Sequence, residues 1–186
     1  MKGIVGVTGT PGTGKKTVSP LVAGALGLDC MSLNDLARSL GLLKPGGEDQ
    51  GVDTEKMKSE LAKVLPPRAL VYGHLFPYVV PPGRAEKVAV LRCEPATLKK
   101  RLARRSYPAS KVTENVEAEL IGVVSADSYR AFGGARTFEV DTTRSSPRET
   151  AALIGSIALG EAEPGPRLDW TALYDSGEKL RSLLSG

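Results

Sequence analysis

Gly9-Thr10-Pro11-Gly12-Thr13-Gly14-Lys15-Lys16-Thr17 follows directly on the apolar run Ile4-Val5-Gly6-Val7. The run reads as a short buried strand, and the glycine-rich stretch as a loop that opens into a helix. Gly9, Gly12 and Gly14 permit turns that a side chain forbids, so successive backbone N–H groups can point inward and cradle α- and β-phosphates. The helix starting near Gly14 adds its positive end, and Lys15 reaches the β- and γ-phosphates. Strand, loop and helix in this order predict a nucleoside triphosphate site built on residues 9 to 17.

Outward from the loop, Val18, Leu21, Val22, Ala25 and Leu26 carry helical spacing over Lys15 to Leu26, with Pro20 inside and Gly27 as a stop. A second strand is predicted at Asp29 to Leu33, then a short helix over Asn34 to Leu40 capped by Asn34 or Ser32. Lys44 to Gly51 reads as a mobile loop. Asp53 to Leu65 reads as an amphipathic helix burying Met57, Leu61, Val64 and Leu65, and Pro66 and Pro67 end it. Ala69 to Tyr72 and Lys87 to Cys93 read as central parallel strands, separated by a proline-rich connection from Pro77 to Gly83. Helices follow at Ala96 to Arg105 and Thr113 to Asp127, a fifth strand at Thr137 to Val140, and a proline-led helix at Pro147 to Leu159. Strands alternating with helices predict a five-stranded parallel α/β sheet covered on both faces, ordered 2-3-1-4-5. From Glu161 onward the pattern breaks, leaving a tail with Trp170 and a short helix near Glu178 to Leu184.

The chain has 186 residues, enough for one domain with a substantial core. Its two cysteines, Cys30 and Cys93, form no disulfide framework and are too few for a cysteine-built zinc site, which points to a reducing, cytoplasmic setting. Nothing resembles a signal peptide, and no apolar run approaches the roughly 20 residues of a membrane span. A net charge of +4 suits polyanionic ligands. The basic helix near Lys99 to Arg105 lacks interleaved aromatics, so sequence-specific nucleic-acid recognition, DNA included, is not expected.

The phosphate loop resembles that of adenylate kinases, and further segments narrow the likeness. Leu33-Asn34-Asp35-Leu36-Ala37-Arg38, Tyr72-Gly73-His74, Arg101-Leu102-Ala103-Arg104-Arg105-Ser106-Tyr107, Glu114-Asn115-Val116-Glu117-Ala118-Glu119 and Asp141-Thr142-Thr143 resemble the adenylate kinase isoenzyme 6 family. The likeness spans about residues 1 to 160, and Leu168-Asp169-Trp170 resembles the tail of archaeal members. It implies a phosphate-loop nucleoside monophosphate kinase fold over residues 1 to 160, with an acceptor segment near 32 to 55 and a lid near 104 to 114. Residues 161 to 186 would form a tail packed on or extending from that domain. The implied activity is transfer of phosphate from ATP to AMP, with ATP hydrolysis and assistance to small ribosomal subunit maturation through a ribosomal protein on the pre-ribosome.

By the same likeness, Arg105 stands at a lid arginine that contacts the triphosphate, with Arg101 adding charge one turn earlier. Arg38 matches an arginine that holds the acceptor phosphate, with Asp35 beside it. Asp141 and Thr142 are suited to passing under the adenine ring. His74, the single histidine, stands past the third strand, where open parallel sheets place ligands. With Lys15 and Arg105 it completes the candidate catalytic set. A positioning role for His74 is expected, because the AMP phosphate is already nucleophilic.

Two departures touch magnesium, which is expected to accompany ATP. Lys16 stands where the family has a hydroxyl, and Tyr72 where it has an acid, so protein support for the metal is weakened and no residue is assigned as a ligand. Three readings follow. The Lys16 ammonium partly replaces the cation; or turnover has been lost and nucleotide binding kept; or Lys16 points to solvent while Thr17 serves the phosphates. The acceptor loop, Lys44 to Gly51, lacks the family's acidic, aromatic character, and Ser106 replaces a lid glycine.

Overall fold

The computed structural model describes residues 2–43 and 51–184. Parallel strands β1 (Ile4–Thr8), β2 (Cys30–Ser32), β3 (Ala69–Tyr72), β4 (Ala85–Arg92) and β5 (Thr137–Asp141) form one sheet in the order β2-β3-β1-β4-β5. The two-residue alternation of β1 sorts the layers. Ile4 joins a core built with Leu33, Met57, Leu61, Phe76 and Phe132, while Val5 and Val7 join Val18, Val22, Phe138, Ile154 and Ile157. Helices α1 (Lys15–Leu26) and α8 (Pro147–Leu159) therefore cover one face. Helices α2 (Leu33–Ser39), α3 (Thr54–Val64), α4 (Phe76–Val79) and α7 (Val123–Phe132) cover the other.

Local chemistry sets the ends. Gly27 closes α1 in the left-handed conformation, φ 60°. Ser32 is the cap of α2, accepting from the Asp35 N–H, so that helix starts at Leu33. Asp53 caps α3 in the same way. Ser146 and Glu149 form a reciprocal capping box ahead of Pro147, a device contributing about 1 kcal/mol.

Several predicted features change. Val64 is 45% exposed, because the last turn of α3 rotates it away while Met57 and Leu61 enter the core. The connection after β3 contains α4 and a 3-10 turn at Pro82–Arg84, since Phe76 is drawn in over Gly6 and packs 5.4 Å from Phe132. The single helix predicted over Thr113 to Asp127 is two helices, α6 (Ala109–Leu120) and α7. Gly122 breaks it with φ 69°, a left-handed conformation that side-chain-bearing residues rarely adopt. The predicted loop at Lys44 to Gly51 lies, except for Gly51, outside the described residues.

Past β4, α5 (Pro95–Ala103) and α6 pack together, and the C-terminal segment lies against them. Trp170 and Leu183 join Leu98, Leu102, Val112 and Val116 in a third apolar cluster. This segment carries a 3-10 turn at Thr171–Tyr174 and a final helix, α9 (Gly177–Leu184). Among the described residues, no helix is long and apolar enough to cross a membrane.

Candidate active site

Because the strands run parallel, their carboxyl ends bring five connections to one edge of the sheet. β1 supplies the phosphate loop at the centre. β2 and β3 lead to Asp35, Arg38 and His74 on one side, and β4 and β5 lead to Arg101, Arg105 and Thr142 on the other.

The loop from Gly9 to Gly14 is held from beneath and behind. Gly12 has φ 94°, and a Cβ there would come within 2.7 Å of Leu98 and 2.9 Å of Leu102, so α5 can pack only on a glycine. The Thr13 hydroxyl donates to the Thr10 carbonyl at 2.9 Å. Lys15 folds back, its ammonium donating to the carbonyls of Gly9 at 2.6 Å and Thr10 at 2.9 Å. Burial drives its pKa down to about 7; Glu119 opposes that shift and Arg105 adds to it. The loop thus stores a desolvated cation whose natural complement is a phosphate anion.

A groove of about 220 Å³ opens between this loop, Arg101, Arg105 and Thr142, with Thr17 on its floor. Ser145, Pro147 and Thr150 around the start of α8 also line it, residues that the sequence reading did not assign to the site. Proximity to Asp141-Thr142-Thr143 was the available signal. Arg101 serves first as an anchor, donating to the Thr142 carbonyl at 2.6 Å, the Thr143 carbonyl at 3.2 Å and the Thr142 hydroxyl at 3.3 Å. The Thr142 hydroxyl in turn donates to the carbonyls of Arg92 at 2.9 Å and Thr13 at 3.0 Å, joining this segment to the phosphate loop. Asp141 accepts from the Thr143 N–H at 2.8 Å and from the Thr143 hydroxyl, which shapes the turn. Arg105 is exposed at the groove's rim. Ser106 beside it has φ 56°, a conformation costing a side-chain-bearing residue about 1 kcal/mol.

On the β2 and β3 side, Arg38 and Asp35 pair at 2.8 Å on the exposed face of α2. His74 is half-buried and lies within electrostatic reach of Lys15. Burial first, and Lys15 second, lower its pKa to about 4, so it is a neutral imidazole near pH 7.

The two positions expected to support magnesium carry a lysine and a tyrosine, neither of which is the hard, small oxygen donor that magnesium takes. Lys16 is exposed on the first turn of α1, and Tyr72 ends β3 with its ring packed against the core shared by α1 and α8. Thr17, not Lys16, lines the groove.

Residues 5–122 match the family model described as an AAA domain. A protein of Thermococcus gammatolerans named "Putative adenylate kinase" is 34% identical over 174 residues, covering 92% of this chain and 95% of that one. A protein of the same name from Natronomonas pharaonis is 39% identical over 163 residues, covering 86% and 92%. The chain belongs to this family. Among solved structures, the shikimate kinase of Acinetobacter baumannii in complex with shikimate superposes with a TM-score of 0.62 at 15% identity, over 85% of this chain and 93% of its own. A gluconokinase from Sinorhizobium meliloti does so with 0.53 at 21% identity, over 86% and 95%. These two share the fold. The family member described here is therefore a phosphate-loop protein of the kinase type.

Sequence reasoning missed one further group, the buried Arg92, Glu119 and Glu139 beneath the loop. Part of its signal was a charge ending one apolar strand run, Arg92 after Val88 to Leu91, and a charge inside another, Glu139 between Phe138 and Val140.

Proposed function

We propose that the protein transfers the γ-phosphoryl group of ATP to AMP, giving two molecules of ADP. An AMP phosphate oxygen forms a bond to the γ-phosphorus as the bond from that phosphorus to the bridging β-oxygen breaks, and ADP leaves. Such transfers need alignment and positive charge more than covalent help. Lys15 would leave its loop carbonyls for the β- and γ-oxygens, and Arg105 would close over the transferred group. Thr17, Thr142 and the start of α8 would hold the nucleotide. Arg38 would receive the acceptor phosphate. Neutral His74 would orient a phosphate oxygen or water by hydrogen bonding, without a proton-transfer duty.

The observation carrying this reading is the Lys15 ammonium held on the Gly9 and Thr10 carbonyls of a glycine-rich loop whose Gly12, Thr13 and Gly14 line a groove together with Arg105. The family's printed name and the sequence likeness supply the acceptor. Phosphorus NMR of the protein with ATP and AMP tests it: two ADP per AMP consumed supports the reading, and unchanged spectra oppose it.

A second reading, a nucleotide-binding assembly factor with little turnover, is favoured by one observation, the loss of a hydroxyl and an acid at Lys16 and Tyr72. The likeness adds ATP hydrolysis and a role with a small-subunit ribosomal protein. AMP-independent phosphate release, with ATP-dependent capture of that protein, would support this reading over the first.

A further inference from the structure

Glu119, on α6, is 1% exposed, and its carboxylate gathers four donors from three parts of the chain. One oxygen accepts the Thr10 hydroxyl at 2.6 Å. The other accepts Arg92 Nε at 2.8 Å, the Cys93 N–H at 2.9 Å and Trp170 Nε1 at 3.3 Å. Arg92 continues the network to the Glu119 carbonyl at 2.9 Å, the Glu139 carboxylate at 3.2 Å and the Leu168 carbonyl at 3.2 Å. Glu139 also accepts the Leu168 N–H at 2.7 Å and the Ser125 hydroxyl. The C-terminal segment is thus held at Leu168 and Trp170 by the same charges that hold the phosphate loop at Thr10.

Thr10 is where this network meets the chemistry. Its side chain is fixed on Glu119, while its carbonyl receives the Lys15 ammonium at 2.9 Å and the Thr13 hydroxyl at 2.9 Å. A shift of the Glu119 carboxylate therefore displaces the peptide that holds Lys15. The arrangement also has a charge logic. Arg92 lies between the Glu119 and Glu139 carboxylates, and Arg167 approaches Glu139 at 3.8 Å, so the buried charges are paired. Glu119 also lies within electrostatic reach of Lys15, where its charge favours the ammonium form.

We infer that Glu119 is a positioning residue for the phosphate loop, setting Lys15 through Thr10 and coupling the loop to the C-terminal segment through Trp170. A polyphosphate that draws Lys15 off the Thr10 carbonyl changes the load on the Thr10 hydroxyl. The shared carboxylate passes that change to the indole. The inference rests on the reading that the loop takes ATP.

Trp170 is the chain's single tryptophan, so its emission reports on this network directly. The full-length protein is titrated with ATP by calorimetry and by fluorescence, from pH 6 to 9, as wild type, Glu119→Gln and Trp170→Phe, with circular dichroism verifying the fold. The charged groups facing Lys15 are Glu119 from α6, Arg105 beyond α5 and His74 beyond β3. Wild type should show a saturable emission change with the calorimetric midpoint. Glu119→Gln should move the pH midpoint of ATP affinity down by about half a unit or more, a shift that a purely structural role would not cause. Should Glu119→Gln fail to fold, Trp170→Phe decides, with ATP affinity expected to fall about 3- to 10-fold in a folded protein. Silent Trp170 emission at saturating ATP overturns the inference, as does an unmoved midpoint in folded Glu119→Gln, or unchanged affinity in Trp170→Phe. Failure of wild type to bind ATP overturns the nucleotide reading itself.

Discussion

The Arg101 guanidinium donates to the Thr142 carbonyl at 2.6 Å, fastening α5 to the segment that follows β5. Together with its contacts to Thr143 and to the Thr142 hydroxyl, this makes the arginine a brace for the groove wall more than a ligand of the transferred phosphoryl. Hydrogen bonds to a charged group contribute about 1.5–3 kcal/mol. Arg101→Ala is therefore expected to raise the KM for ATP by about tenfold or more while kcat changes less. Steady-state kinetics check this, and a fall in kcat at constant KM would refute it.

Lys15 predicts proton uptake on binding. Its free pKa is about 7, lowered by burial, and a phosphate partner favours the ammonium. At pH 8 the free amine is largely neutral, so ATP binding should take up about one proton. Calorimetry in two buffers of different ionisation heat measures this, and Lys15→Met should abolish it. Without nucleotide the sign for stability is reversed from the usual lysine case. The folded pKa lies below the unfolded 10.5, so the burial penalty is full below pH 7 and is relieved as pH rises from about 7 to 10.5.

His74 should titrate near pH 4, well below the usual 6.5 for histidine. Because its charged form is disfavoured in the fold, stability contributed by the neutral ring is present above pH 6.5 and is lost as pH falls through 4. As the single histidine, its ring protons are resolvable by NMR. A midpoint near 6.5 would contradict the placement of His74 beside Lys15.

Which parts of this were legible in advance follows from how local their causes are. α1, β3 and α8 keep their predicted limits, because Gly27, Pro66-Pro67 and Pro147 punctuate them through backbone geometry alone. The break at Gly122 escaped detection because apolar spacing continues from Val116 and Leu120 into Val123, masking the left-handed turn that Gly122 makes at φ 69°. Gly12 to Gly14 of the phosphate loop, Arg105 and Thr142 line one groove. Asp35 and Arg38 stand paired on the opposite side of the loop. Glu119 looked like one more helical acid, since its partners Thr10, Arg92 and Trp170 are distant in sequence.

The altered positions Lys16 and Tyr72 predict an unusual metal response. Neither side chain is a carboxylate or small hydroxyl, the oxygen donors that magnesium takes. The double variant Lys16→Thr with Tyr72→Asp should increase the ratio of turnover in magnesium to turnover in chelator relative to wild type. Phosphorus NMR under both conditions reads it, and an unchanged ratio would remove these two positions from the account.

On the proposed reading, one edge of the sheet holds two nucleotides end to end across Lys15. Calorimetric titration with diadenosine pentaphosphate, which joins ATP-like and AMP-like ends in one molecule, addresses it most directly. The account predicts one molecule bound per chain, about 100-fold or more tighter than ATP, since the second end binds at no further cost in translational freedom. Binding no tighter than ATP would contradict it, leaving a single nucleotide site and no acceptor site.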